Sequence, residues 1–143
     1  MKVVFDTNIL LDAILERSGY VSVRELFDAV ADEEISGYVT ANTITDIYYI
    51  SRKSLGDLEA RQAIQEILNV FDVAEINGEI CGYALTSLMA DFEDAVLAYS
   101  AYNAGADYIV TRDKVFSETS YSPVEVKTPE DMLKIIQDSI AKG

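Results

Sequence analysis

Short apolar runs alternate along this chain with longer stretches in which apolar residues recur every three or four positions. Val3-Val4-Phe5 is compact, β-branched and aromatic, and predicts a buried strand. The run stops at Asp6. Ile9, Leu10, Ala13 and Ile14 then share one face of a helix, with Thr7 or Asn8 expected to cap it. After a break at Ser18-Gly19, Val21 to Glu34 predicts a second helix with Val23, Leu26, Phe27 and Val30 on one side, and Ile35 to Thr40 a second strand in spite of Gly37. Asn42 or Thr43 is expected to cap the helix carrying Ile44, Ile47, Tyr48 and Ile50. Asp57 opens another, through Leu58, Ile64, Ile67, Leu68 and Phe71. Asp72 to Ile76 predicts a short third strand, Asn77 to Met89 a helix, Ala90 to Phe92 a break, and Glu93 to Ala104 a helix closed by Gly105. Tyr108 to Thr111 predicts a fourth strand and Val124 to Val126 a fifth. Thr128-Pro129-Glu130-Asp131 starts a last helix with Met132, Ile135, Ile136 and Ile140.

Strands alternating with helices predict an α/β protein with a parallel sheet covered on both faces. Right-handed crossovers bring the carboxyl ends of its strands to one edge, where ligands bind in open sheets. Asp6 and Thr111 end two such strands. The absence of repeats and linkers over 143 residues predicts one domain spanning 1–143.

Composition narrows the chemistry. Half the residues are hydrophobic, as a globular fold requires, yet no apolar run approaches the roughly 20 residues of a membrane span. No basic-then-apolar leader is seen at the start. The single cysteine, Cys81, cannot form an internal disulfide, which suits a reducing cytoplasm, and among Ile80, Tyr83 and Ala84 it reads as a buried, inert thiol. There is no histidine. Ser-His-Asp and Cys-His catalysis and histidine-ligated zinc are thereby excluded. Any metal must be held mainly by oxygen, which favours Mg²⁺ or Mn²⁺. A base for hydrolysis would be a carboxylate or a metal-activated water. The net charge of −14 argues against broad electrostatic binding to nucleic acid. It leaves room for a nuclease in which several acids converge on divalent ions.

Such a set is present. Asp6 ends the first strand, Asp46 lies about one turn into the helix after the second, Asp91 and Asp94 flank the start of the helix before the fourth, and Asp113 follows the fourth strand. Asp91 and Asp94 are three apart and can face one way. Each acid has a plainer reading too: Asp6 as a helix-end acid, Asp46 as a capping partner of Thr43, Asp91 as an N-cap, Asp94 as a helix-dipole acid, Asp113 as a loop acid. Glu93 reads as solvated, and Asp12, Glu16 and Asp131 as helix-surface or capping acids. The signal is the ordered set: carboxylates gathered in one crevice repel unless protonated or bridged by cations.

Four segments carry a resemblance: Val4-Phe5-Asp6-Thr7-Asn8-Ile9-Leu10-Leu11-Asp12, Thr43-Ile44-Thr45-Asp46-Ile47-Tyr48-Tyr49, Asp91-Phe92-Glu93-Asp94-Ala95 and Gly105-Ala106-Asp107-Tyr108-Ile109-Val110-Thr111-Arg112-Asp113. In this order they resemble the PIN domain family, named for the PilT N-terminus, across nearly the whole chain. The resemblance implies a three-layer α/β/α sandwich with a mostly parallel central sheet. It implies a Mg²⁺- or Mn²⁺-dependent ribonuclease, similar to the VapC toxins of toxin–antitoxin pairs. In that light Asp6 and Asp94 match the principal metal-binding acids, Asp91 the acid before the latter, Asp113 a variable acid, and Asn8 and Thr111 their polar companions. Asp46 stands where the family most often has glutamate, a shorter reach by one methylene.

The expected reaction is hydrolysis of an RNA phosphodiester, with Asp6, Asp46, Asp94 and Asp113 placing one or two ions and Asn8 and Thr111 orienting ligands or water. Arg112, Lys114, Arg52 and Lys53 are candidate phosphate contacts, although surface solvation is the plainer reading of each. Two other functions remain open: a PIN-like binding module with a weakened site, and an aspartyl-phosphate domain with Asp6 as acceptor and Lys114 assisting. Nine tyrosines and five phenylalanines leave rings such as Tyr48, Tyr49, Tyr99 and Tyr102 for an interface. The resemblance adds a homodimer and an antitoxin as expected partners.

Overall fold

The computed structural model describes residues 1–17 and 20–143, leaving the side chain of Tyr20 aside; the break expected at Ser18-Gly19 lies outside the described residues. Among them run five strands and eight helices: β1 (Lys2–Phe5), α1 (Thr7–Ile14), α2 (Tyr20–Ala31), β2 (Ser36–Thr40), α3 (Ala41–Leu55), α4 (Asp57–Val70), β3 (Asp72–Ala74), α5 (Gly78–Thr86), α6 (Phe92–Asn103), β4 (Tyr108–Val110), α7 (Lys114–Ser117), β5 (Glu125–Lys127) and α8 (Pro129–Lys142). The strands form one sheet in the order β3-β2-β1-β4-β5, and every pairing is parallel.

Alternation along β1 divides the core. Val3 and Phe5 face one layer, with Val23 and Leu26 of α2, Ile47 of α3, Ile67 of α4, and Met132 and Ile136 of α8. Val4 faces the other, with Leu97, Ala98 and Ala101 of α6 and Phe116 of α7. A strand buried on both faces has to be apolar at consecutive positions, which is why Val3-Val4-Phe5 does not alternate. α5 joins the second layer by packing Ile80 and Ala84 against Ala95 and Val96. Within the first layer Phe71 meets Phe5 and Phe27 edge-on, with centroids 5.0 and 5.4 Å apart. Gly37 lets β2 pass under this cluster: a Cβ there would lie 2.7 Å from the Phe71 ring.

Several boundaries depart from expectation for local physical reasons. Asp6 itself, rather than Thr7 or Asn8, caps α1: it is the last extended residue (φ −70°, ψ 155°), and its carboxylate accepts the Thr7 N–H. Thr40 likewise caps α3 ahead of Asn42 and Thr43, accepting the Thr43 N–H. That puts Thr43 inside the helix and Asp46 in its second turn, so Asp46 is not a capping partner of Thr43. The helix expected to reach Met89 ends at Thr86. Cys81 is half-buried rather than enclosed. α7 was not foreseen; Asp113 caps it and Phe116 anchors it in the core. Gly105 does end α6, at φ 74°, and Ala106 N–H reaches back to Ala101 C=O while Gly105 N–H reaches Tyr102 C=O, both at 3.0 Å. This double closure needs the left-handed conformation that glycine adopts without strain.

Candidate functional site

In the order β3-β2-β1-β4-β5 the chain connections diverge between β1 and β4. Crevices at the carboxyl ends of strands open at such switch points. Phe5 pairs with Val110 in register, so the next residues, Asp6 and Thr111, emerge side by side at that seam. Thr111 Oγ1 donates to Asp6 Oδ2 at 2.8 Å. Asn8 Nδ2 donates to Asp6 Oδ2 and to Thr111 Oγ1, each at 3.3 Å. Thr7 N–H binds Asp6 Oδ1 at 2.8 Å. Asp6 is thus gripped by neighbours from two strands' ends and one helix.

Around it opens a cleft of about 580 Å³ whose lining includes Asp6, Asn8, Asp46, Asp91, Asp94 and Asp113. Five aspartates from four distant stretches of sequence therefore meet in one hollow. Asp6, Asp91 and Asp113 are N-caps of α1, α6 and α7, with one carboxylate oxygen accepting Thr7, Asp94 and Val115 N–H respectively. The plain capping reading and the convergence on a crevice hold together for these three. The positive ends of the helices partly offset the gathered charge.

The offset is incomplete. Burial pushes the Asp6 carboxyl above its ordinary value; the Thr111 hydroxyl and the Thr7 N–H oppose the rise, and the charges of Asp113 and Asp91 add to it. Asp94 caps no helix and is pushed up to about 7, first by burial and then by repulsion from Asp91, Asp6, Asp113 and Glu93. These carboxylates feel one another's charge across the cleft. Glu93, expected to be solvated, is exposed yet lines the same hollow. Asp46 lines it from the α3 side and is itself exposed.

None of the four bases named as phosphate contacts lines the cleft among the described residues. Arg112 pairs with Asp12. Lys114 lies 4.0 Å from Glu118 on the surface. Arg52 stacks over the Tyr48 and Tyr49 rings at 5.8 and 6.0 Å. Lys53 is exposed. Asp12 is a correction: expected on the helix surface, it is buried, and its carboxylate takes the Arg112 guanidinium at 2.5 Å. A run of hydroxyls was also missed. Thr7 Oγ1 lies 3.0 Å from Thr43 Oγ1, which accepts from Thr40 Oγ1 at 3.1 Å. The run ties the start of α1 to the start of α3 along the cleft wall. Its only sequence signal was Thr40-x-x-Thr43 at the end of a strand, a capping pattern.

The donor set is all oxygen. Among the described residues no three acids stand close enough to enclose one ion. By its chemistry an all-oxygen donor set suits a hard cation rather than a soft one.

Comparison with known proteins bears on the fold. The chain resembles in structure VapBC2 from Rickettsia felis, bound to a DNA fragment from its promoter, with a TM-score of 0.70 at 16% identity, over 90% of this chain and 98% of that one. VapC20 of Mycobacterium tuberculosis, described as a sarcin–ricin loop cleaving toxin, aligns with a TM-score of 0.68 at 15% identity, over 85% of this chain and 98% of that one. A toxin–antitoxin complex from Klebsiella pneumoniae aligns with a TM-score of 0.65 at 21% identity, over 89% of this chain and 97% of that one. At these identities the likeness is one of fold. No curated protein matches the chain in sequence. The model of the PIN domain family matches residues 2–115, and the chain belongs to that family.

Proposed function

We propose that this protein is a divalent-metal-dependent ribonuclease acting in the cytoplasm as the toxin of a toxin–antitoxin pair. The observation that carries the reading is the meeting of Asp6, Asp91, Asp94 and Asp113 in one cleft, with Asp6 and Asp94 raised in part by their neighbours' charges. Family membership supports a nuclease activity, and the structural neighbours described as toxin–antitoxin complexes support an antitoxin partner.

Asp6 and Asp94 would hold Mg²⁺ or Mn²⁺, with Asp91, Asp113 and, from the α3 side, Asp46 contributing through water. When bound, the cation neutralises the scissile phosphate and makes water a stronger nucleophile. Asn8 and Thr111 keep Asp6 in place by donating to its Oδ2. The cleft, at about 580 Å³, has the volume of a small-ligand site. In-line hydrolysis there would leave a 5′-phosphate and a 3′-hydroxyl. Manganese- or magnesium-dependent cleavage of RNA, lost in Asp6→Asn and in Asp94→Asn, is the expected result. Full activity of either folded variant would defeat the reading.

The absence of basic residues from the cleft lining, among the described residues, favours one second reading, a PIN-like binding module with a weakened site acting through its partner. Binding of no Mn²⁺ at millimolar concentration would select it. In either case Tyr49 and Tyr102, 60% and 64% exposed, are positioned for association, and light scattering against the monomer mass tests a homodimer.

A further inference from the structure

Asp12 lies near the end of α1, is 4% exposed, and meets the Arg112 guanidinium at 2.5 Å across 100 residues of sequence. A buried carboxylate without a cation is strongly unfavourable, so Arg112 is fixed by what faces it. Arg112 sits between Thr111 and Asp113 in the three-residue turn from β4 to α7. Its own N–H donates to Asn8 Oδ1 at 3.2 Å. That bond sets the Asn8 amide with its Nδ2 toward Asp6 Oδ2 and Thr111 Oγ1. The next N–H in the turn, of Asp113, binds Thr111 Oγ1 at 3.1 Å. One anchored side chain thus controls two consecutive backbone donors and, through them, both polar companions of Asp6.

We infer that the Asp12–Arg112 ion pair is a positioning device for the carboxylate cleft, orienting Asn8, Thr111 and Asp113, and that Arg112 is not a contact to the substrate phosphate. The pair also offsets the charge of Asp12, a buried anion. A guanidinium suits the task because its planar fork holds a fixed geometry that an ammonium does not. The inference deepens the nuclease reading and rests on it for its catalytic consequence, but the orientation of Asn8 stands apart from any reaction.

Two variants and two readouts test it. Asp12→Asn removes the charge at constant shape. The double variant Asp12→Leu/Arg112→Met replaces the pair by apolar groups and leaves no unpaired ion, so it keeps the protein folded where the single variant does not. Amide hydrogen exchange at residue 112 in metal-free protein reports the bond to Asn8, and Mn²⁺ titration of RNA cleavage reports the site. In both variants exchange at residue 112 is expected to accelerate at least about tenfold. The Mn²⁺ midpoint should rise or kcat fall by about 10- to 100-fold, the usual cost of losing an outer partner of a metal ligand, with KM for RNA unchanged. Unaltered exchange at residue 112 in a folded variant overturns the inference. So does recovery of protection and of the Mn²⁺ midpoint in the apolar double variant, which would make the pair merely structural. A raised KM at unchanged kcat also overturns it, since Arg112 would then grip phosphate. If the wild-type protein cleaves no RNA, the nuclease reading fails by itself, and exchange at residue 112 still decides the positioning role.

Discussion

Thr111 Oγ1 donates to Asp6 Oδ2 over 2.8 Å, and through that bond β4 steadies the carboxylate that β1 delivers. Thr111 is fully buried. Its hydroxyl is the largest influence holding the Asp6 carboxyl down against burial. Thr111→Val keeps the shape and removes the donor. Hydrogen bonds to charged groups contribute about 1.5–3 kcal/mol, so urea unfolding should show a loss toward the lower part of that range, Asn8 still donating to Asp6. An unchanged urea midpoint at pH 7 would mean that the bond contributes nothing to holding the fold.

The pH dependence of stability follows from Asp94. Its carboxyl is at about 7 in the folded chain against 3.8 ordinarily, so between those values the folded state holds a proton that the unfolded state has lost. Linkage then makes stability fall as pH rises from about 4 to about 7 and level off above, the reverse of a salt-bridged aspartate. Asp94 is only half-buried, so solvent screens part of the effect. Thermal melts in chelator across this range should slope downward for the wild type and less for Asp94→Asn. Parallel curves would show that Asp94 is not the group responsible.

A cation entering the cleft meets carboxylates that repel one another, and it should stabilise the fold most where they are ionised. Mn²⁺ at a hundred times its dissociation constant stabilises by about 2.7 kcal/mol through mass action alone. The melting temperature should therefore rise with Mn²⁺ at pH 8, rise much less at pH 5, and return on adding chelator. Asp6→Asn should abolish the response. An equal rise in Asp6→Asn would locate the ion elsewhere.

How far this was legible in the sequence depends on the range of each interaction. Asp6 at the end of β1 and Gly105 beyond α6 were readable because strand, turn and helix chemistry act within a few residues. The two displaced caps, Asp6 and Thr40, have one cause: the residue that ends a strand in extended conformation is also placed to cap the helix that follows at once, so Asn8 and Thr43 were left to other bonds. Asp12 was not legible, since its partner lies 100 residues away and nothing beside it in the helix announces burial. A separation of 105 residues likewise hides the union of Asp6 with Thr111. There the alternation of strands and helices supplied the missing long-range information, because a parallel sheet brings strand ends together whatever their separation in sequence.

Asp46 offers the sharpest test of how the cleft is completed. It lines the hollow from the second turn of α3, and it is exposed. Glutamate, which the resemblance implies at this position, is longer by one methylene and would carry the carboxylate further into the cleft. Aspartate can still act through an intervening water, at lower affinity, because a bridging water is costly to immobilise. Asp46→Glu is therefore expected to lower the Mn²⁺ concentration needed for half-maximal cleavage severalfold, and Asp46→Ala to raise it, with the melting temperature in chelator little changed because the exposed Asp46 side chain makes no hydrogen bond among the described residues. The comparison is made on metal dependence at saturating RNA, which separates reach toward the ion from contact with substrate. Identical metal dependence in all three proteins would remove Asp46 from the site and leave the acids of β1, α6 and the β4–α7 turn to hold the ion alone.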